Sequence, residues 1–463
     1  MKRRFYLTIF YISIISLSGF TQQDNDDALF IRQIYDKALT NGQCYDWLTH
    51  LTTQIGGRLA GSPQSLAAIE YTKQVLDTLG MDSVWLQPCV VPHWNRGDKE
   101  QVRIVNSALG SMDLNVLALG NSVGTSAEGL IAEVVEVQSL AEVEALGAST
   151  INGKIVFYNR PMDPKQIRTF NAYGGAVDQR VFGASKAAKF GAVAVLVRSM
   201  TTKLDDFPHT GTLVYEEGVA QIPGLALSTN DAEKLSAILD KGKTEIYIKT
   251  NCGMLSDKPS YNVVGEIKGS TYPDEIILVG GHLDSWDVGQ GAHDDGAGCV
   301  HAMDVIQILK RLNYQPKRTI RCVLFMNEEN GQGGAIAYME ASNKNGEYHL
   351  AAIESDAGGF TPRGFTADGD ESIFVEKFQQ VTSWLPLVEP YGLYLQKGGS
   401  GADISRLKSQ KGLLFGFRPD SQRYFDYHHT AADRIEAVNQ RELELGAAAM
   451  TTLVFLLDSY GLK

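Results

Sequence analysis

Four short stretches of this chain carry histidines and carboxylates whose types and spacing suit metal chemistry. His282 and Asp294 stand twelve residues apart in LVGGHLDSWDVGQGAHDDGAG, Leu278–Gly298. Glu328 and Glu329 follow TIRCVLFMN, Asp356 follows HLAAIES, and His428 and His429 lie in YFDYHHTAAD. Imidazoles and carboxylates without a cysteine suit Zn²⁺ bound through nitrogen and oxygen. Two such ions about 3.5–4 Å apart can share a hydroxide and polarise a carbonyl together. One carboxylate must then bridge both, and Asp294, between Gly291 and Gly296, suits a bridge. Successive side chains at a strand end point apart, so one of Glu328 and Glu329 would bind metal and the other face the attacking water as general base. Asp284, two residues after His282, could accept the second imidazole N–H and fix the ring.

The elements around these residues follow from apolar periodicity. EIILVGG, TIRCVLFMN and HLAAIES read as buried strands, and CVHAMDVIQILKRL reads as a helix. Each strand delivers a histidine or carboxylate to its C-terminal end, where ligands collect in open α/β sheets. From Asp27 to Gly80 the chain reads as helical, clearest in QSLAAIEYTKQVLDTLG, with strands next at Trp85–Cys89 and Gln101–Asn106. Between Val116 and Cys252 the texture changes to short β runs around one helix, ASKAAKFG. The expected fold is α/β: a mixed central sheet flanked by helices, residues 23–115 and 253–463, with a β-rich insert at 116–252. His293 and His301 are read as structural, one in a loop and one along a helix. A G-x-S-x-G match, GNSVG around Ser122, lacks the helix a nucleophilic serine needs behind it, because TSAEGLIAEVVEV reads as a turn and a strand.

The series HxD, GAxDDGAG, NEE, ESDAGG and HHTAAD resembles the co-catalytic di-zinc exopeptidases, the group of bacterial-type leucine aminopeptidases and carboxypeptidase Q. The His–Asp spacing, GGRLAGSP at Gly56 and the paired histidines fit its carboxypeptidase Q branch. The resemblance implies two zinc ions per chain, with His282 and Asp356 on opposite ions and Asp294 as bridge. It further implies Glu329 as ligand, Glu328 as base, His429 as last ligand and His428 as the group polarising the substrate carbonyl. The two histidines could be exchanged without violating the spacing. GKIVFYNR, ASKAAKFGAVAVLVRS and IPGLALSTNDAEKL make the insert similar to a protease-associated domain. In GGSGAD, Asp403 could hold a substrate amino group and Ser400 a terminal carboxylate, against an ordinary N-cap reading; Arg418 is a carboxylate partner by charge alone. The expected activity is hydrolysis of dipeptides or short peptides with free termini, as carboxypeptidase or aminopeptidase. A non-catalytic ectodomain and a one-zinc glutaminyl cyclase are the rivals, and homodimerisation is implied by the resemblance only.

With 42 basic and 54 acidic residues, the 463-residue chain has a net charge of −12. That argues against a nucleic-acid groove or an anionic membrane surface as partner. Lys2, Arg3 and Arg4, then FYLTIFYISIISLSGF, then polar TQQDNDD read as a cleaved signal peptide over residues 1–22, so the protein is expected to be secreted or periplasmic. No later stretch is read as long enough to cross a bilayer. Cys299 and Cys322 are expected as buried thiols, while Cys44 could pair with Cys89, or either with Cys252.

Overall fold

The computed structural model describes residues 22–463, so the expected signal peptide falls outside the described residues except for Gln22. Two eight-stranded mixed sheets organise the rest. The first runs, edge to edge, Ser83–Asn95, Gly253–Ile267, Arg318–Phe325, Tyr272–His282, Tyr348–Glu354, Leu413–Pro419, Pro362–Gly369 and Tyr394–Lys397. Its four middle strands are parallel, and the two pairs flanking them are joined antiparallel. Burial on both faces explains why those middle strands read as unbroken apolar runs. Every residue of Arg318–Phe325 is buried, as is Ile277 through His282.

Helices Gln22–Asn41, Cys44–His50, Ala297–Arg311 and Gln440–Tyr460 cover one face, and Gly333–Asn345 lies on the other. Helix Ala297–Arg311 comes in so close that a methyl group at Gly298 would sit 1.9 Å from the Ser355 carbonyl oxygen. Glycine there lets the helix start directly behind the strand ends. By length and hydropathy Gln440–Tyr460 could cross a bilayer, contrary to the reading that no later stretch could. Its apolar 18-residue window is 83% buried against the protein, so here it is a core helix.

The second sheet runs Met112–Asp113, Gln101–Asn106, Glu245–Lys249, Leu130–Val137, Ile155–Tyr158, Ala194–Arg198, Gly224–Leu227 and Val116–Ala118. It takes in Gln101–Asn106, which the expected boundary at residue 116 left with the catalytic part. Residues 101–106 pair with Glu245–Lys249, so sequence position alone misplaced that edge. The insert is also more helical than expected: Leu140–Ile151 and Thr229–Leu239 accompany Gly183–Ala188. Ser139 and Ser228 cap the first two by accepting the N–H of Glu142 and Asp231. Phe360, Tyr424 and Phe425, from the loops of the first sheet, pack into a core of the second, which docks the two halves around those loops.

All five cysteines are buried free thiols, so none of the pairings left open by the sequence forms. Ser122 is fully buried, its hydroxyl accepting the Gly224 N–H, and it is followed by a turn and strand Leu130–Val137, as read.

Candidate metal centre

Parallel register brings the site together. His282 pairs with Phe325, and Gly280 with Glu354, so the Phe325 and Glu354 strands end at one level with His282 between them. Glu328 and Glu329 leave the first of those ends and Asp356 the second. The His282 Nε2 lies 3.3 Å from Asp294 Oδ1 and 3.6 Å from Asp356 Oδ1. On the far side of Asp294, His429 Nε2 lies 3.2 Å from Asp294 Oδ2 and 3.1 Å from Glu329 Oε2. Asp294 thus sits between two pairs, His282 with Asp356 and His429 with Glu329. His282 and Asp356 were expected on opposite ions; the register places them side by side, and they would share one.

Outer contacts decide which imidazole nitrogen is free. His282 Nδ1 is 3.0 Å from the carbonyl oxygen of Asp284, which can only accept, so Nδ1 carries a proton and Nε2 is the nitrogen turned inward. His429 is held the same way, its Nδ1 3.3 Å from the Thr210 carbonyl oxygen contributed by the second half. His428 stacks on His429 at 3.5 Å between ring centroids, its Nε2 lies 3.7 Å from Asp294, and its Nδ1 has no partner. That asymmetry favours His429 as ligand.

The Asp284 carboxylate does not orient the ring as expected; its nearer oxygen is 3.8 Å from Nδ1. It accepts instead the N–H groups of Asn327, Glu328 and Glu329 at 2.7, 3.0 and 3.3 Å, pinning the turn that carries both glutamates.

Several further residues were invisible in the sequence as parts of the site. Asp433, in HHTAAD, accepts the N–H groups of His293 and Asp294 at 2.8 and 3.1 Å. Asp295 accepts those of His282 and Gly298, both at 3.0 Å, which occupies its oxygens although it lies within ligand reach of His282 and Asp356. Arg58, fully buried in the GGRLAGSP segment, donates to the carbonyls of Leu283, Gln290 and Gly291 and staples the two ligand loops together. His293 stacks on Phe360, and His301 bridges Ser355 and the Leu443 carbonyl, so both are structural, as read.

Protonation is in conflict throughout this cluster. Burial presses the His282 ring toward neutrality, but the Asp294 and Asp356 carboxylates outweigh it and hold its pKa well above the usual histidine range. His429, buried but facing Glu329 and Asp294, is pushed up to about 10. Burial and the Asp294 charge push Glu329 up to about 7, and burial with neighbouring carboxylates raises Glu328 well above its ordinary value. Meanwhile His282 Nε2, Asp294 Oδ2 and Glu329 Oε1 are buried without a hydrogen-bond partner. Lone pairs that converge, stay unpartnered and compete for protons fit divalent cations, which bind the deprotonated forms.

The cluster opens into a cavity of about 480 Å³ lined by Asp294, Glu328, Glu329, Asp356, His428 and His429 and by aromatic rings, of which Tyr173, Tyr424 and Phe425 pack on His428. Ser400 and Asp403, expected at the substrate, do not line it. They are 3% and 2% exposed, in a loop packed on Glu354, whose carboxylate accepts the Ile404 N–H beneath the floor. Arg418 is engaged by Thr366 and the Gly399 carbonyl and lines a separate cavity.

Fold and site together define a candidate metal centre, a single aspartate between two histidine–carboxylate pairs at the C-terminal edge of parallel strands. The chain belongs to peptidase family M28, whose model matches residues 262–454, and it is a metallopeptidase of the carboxypeptidase Q-like type. It is 34% identical to carboxypeptidase Q of Bos taurus over 92% of this chain and 86% of that one. To the Homo sapiens carboxypeptidase Q it is 35% identical, with the same coverage of 92% and 86%. Among solved structures, a peptidase M28 precursor from Shewanella amazonensis superposes with a TM-score of 0.89 at 33% identity, covering 95% of this chain and 98% of that one. A zinc aminopeptidase from Bacillus subtilis shares the fold at a TM-score of 0.64 and 19% identity, over 91% and 96% of the two chains.

Proposed function

We propose that this protein is an exported, zinc-dependent exopeptidase that hydrolyses dipeptides or short peptides with free termini. One observation carries the reading: two histidine–carboxylate pairs flank Asp294, and Asp356, Glu329 and His429 of those pairs line one cavity with Glu328. His282 and Asp356 would hold one ion, Glu329 and His429 the other, and Asp294 both. When bound, zinc supplies Lewis acidity that polarises the scissile carbonyl and lowers the pKa of water. Glu328 takes the proton of the attacking water as its oxygen bonds to the scissile carbon. Glu328 then returns that proton to the amine nitrogen as the C–N bond breaks. Burial first raises its pKa above the ordinary carboxyl value, which suits a group that must both take up and release a proton. His428, on the cavity wall beside Asp294, would donate to the developing oxyanion.

A filled ligand set argues against a non-catalytic ectodomain, and two histidine–carboxylate pairs argue against a one-zinc cyclase. The second sheet would shape access as a protease-associated domain does, and the basic then apolar start of the chain supports export. Homodimers remain part of the proposal, and sedimentation tests them. Purified protein should lose dipeptide hydrolysis with a chelator and regain it with Zn²⁺, with two zinc ions per chain by elemental analysis. Glu328→Gln should cut kcat by at least about 10³-fold while both zinc ions stay. Turnover unaffected by chelation would end the metal reading.

A further inference from the structure

A second convergence of ligand-type side chains lies between helices in the core, apart from the cavity. Cys44, Asp304 and Glu444 come from helices Cys44–His50, Ala297–Arg311 and Gln440–Tyr460, and their ligand atoms lie within 4.8 Å of one another. None of the three lines the cavity at Asp294. Cys44 and Asp304 are fully buried, and Glu444 is 4% exposed.

The bonding around them is incomplete. Asp304 Oδ1 accepts the Gln307 amide at 3.1 Å, but among the described residues its Oδ2 has no partner, and neither Glu444 oxygen has one. The Cys44 thiol makes one weak contact, 3.5 Å to the Val300 carbonyl oxygen. Three idle carboxylate oxygens so deeply buried are destabilising unless protons or a cation satisfy them. Space for the Glu444 carboxylate is kept by Gly42, where a methyl group would lie 1.6 Å from Oε2. Without an ion, protons satisfy the pair: burial pushes Asp304 up to about 6, and burial with the Asp304 charge pushes Glu444 up to about 8. A divalent cation binds the deprotonated forms and displaces those protons.

The donor set says which cation. Mg²⁺ and Ca²⁺ take oxygen ligands, whereas a thiolate beside carboxylates suits the borderline-soft Zn²⁺. At about 2.0–2.3 Å per bond, donors around one zinc stand up to roughly 4 Å apart, so the trio closes on an ion with small side-chain movements. One thiolate and two carboxylates exceed the charge of one zinc by a single negative charge. Arg311, which donates to the Asn41 carbonyl and draws both carboxyl pKa values back down, balances it; Asp46 is the remaining charged neighbour of Glu444.

We propose that Cys44, Asp304 and Glu444 form a further zinc site, structural rather than catalytic, which staples helices Cys44–His50 and Gln440–Tyr460 to Ala297–Arg311. It stands independently of the peptidase reading. At neutral pH protons compete for its ligands, so the two ions around Asp294 are the ones retained there, and the further ion joins above pH 8.

The test equilibrates the full-length protein with excess Co²⁺ just above pH 8, because Co²⁺ takes the place of zinc and reports its ligands by absorption. The centre around Asp294 offers only nitrogen and oxygen, so thiolate-to-cobalt charge transfer in the near ultraviolet reports a cysteine ligand. Bound metal should reach one ion per chain beyond the two at Asp294, and the charge-transfer band should grow with that last ion. Cys44→Ser and Glu444→Gln should each lose the last ion and the band while hydrolysing a dipeptide at the wild-type rate. The Cys44→Ser arm also separates this site from Cys299, whose Sγ lies 3.0 Å from the His282 carbonyl oxygen. Metal content and spectrum of the wild type decide the matter even where a variant misfolds. Binding that stops at two ions, a further ion without the band, or a band that survives in Cys44→Ser overturns the site, and each leaves the peptidase reading standing.

Discussion

Asp284 and the paired histidines show how narrowly single atoms govern this centre. The Asp284 carboxylate touches no ligand atom, yet it gathers three successive backbone N–H groups and so sets where Glu328 and Glu329 point. Asp284→Asn keeps the volume but turns one acceptor into a donor facing those N–H groups. It should lower kcat about 10- to 100-fold, the usual penalty for disturbing the support of a metal site, and cost about 1–3 kcal/mol of stability through the unsatisfied donors. A kcat within twofold of wild type in steady-state assays would show that the turn holds itself. The histidines differ in their outer contacts, and their variants should differ accordingly. His429→Ala should lose close to one zinc ion per chain by elemental analysis, whereas His428→Ala should keep both and lose kcat. Neither distinction could be read from HHTAAD, because a carbonyl 219 residues away in sequence, that of Thr210, fixes which ring is held.

At the scale of elements, strand ends were the legible part. Apolar runs that stop at His282, Glu328 and Asp356 mark buried parallel strands, and such strands present their C-terminal ends together. Sequence gives the strands but not their order or register, and register is what sets Asp356 beside His282 rather than across from it. Leu140–Ile151 escaped notice although Ser139 and Glu142 mark its start, because its apolar face is thin: Val143 and Ile151 are its buried residues. Helix packing also created a feature no motif announces. Cys44, Asp304 and Glu444 meet in the core between helices Cys44–His50, Ala297–Arg311 and Gln440–Tyr460, with Glu444 4% exposed and Asp304 fully buried. Burial pushes Asp304 up to about 6, and burial with the Asp304 charge pushes Glu444 up to about 8. Both values are raised above those of the unfolded chain, so the folded state holds these protons more tightly. The stability they contribute is fully present below about pH 4 and is lost as pH rises through 6 and then 8. Against Asp304→Asn and Glu444→Gln, wild type should therefore lose stability between about pH 4 and 8, on the order of 3 kcal/mol for Asp304 and 5 kcal/mol for Glu444. Thermal unfolding of the three proteins across that range, giving parallel curves, would remove the cluster from the pH dependence.

The whole molecule ties its two sheets to one candidate metal centre. The four segments that carry the proposed ligands span His282 to His429, and the second half adds the Thr210 carbonyl behind His429 and the Thr212 hydroxyl on the Glu329 carbonyl. The aromatic residues Phe170 and Tyr173 also pack on Tyr424 and Phe425. Ions held by residues that are far apart in the unfolded chain bind the folded state selectively, and this raises stability by mass action: about 2.7 kcal/mol at one hundred times the dissociation constant. Because ligand-bearing loops form the seam between the sheets, chelation should loosen both halves and not the catalytic sheet alone. Scanning calorimetry of zinc-loaded and chelator-treated protein should show unfolding at lower temperature after chelation, with the second sheet moving together with the first. Limited proteolysis should then find the loop around Thr210 cut faster in the chelated protein. If the melting temperature stays within a degree of the zinc-loaded value and cleavage near Thr210 does not change, the metal is a passenger in the fold. The coupling between sheets would then rest on the aromatic contacts alone.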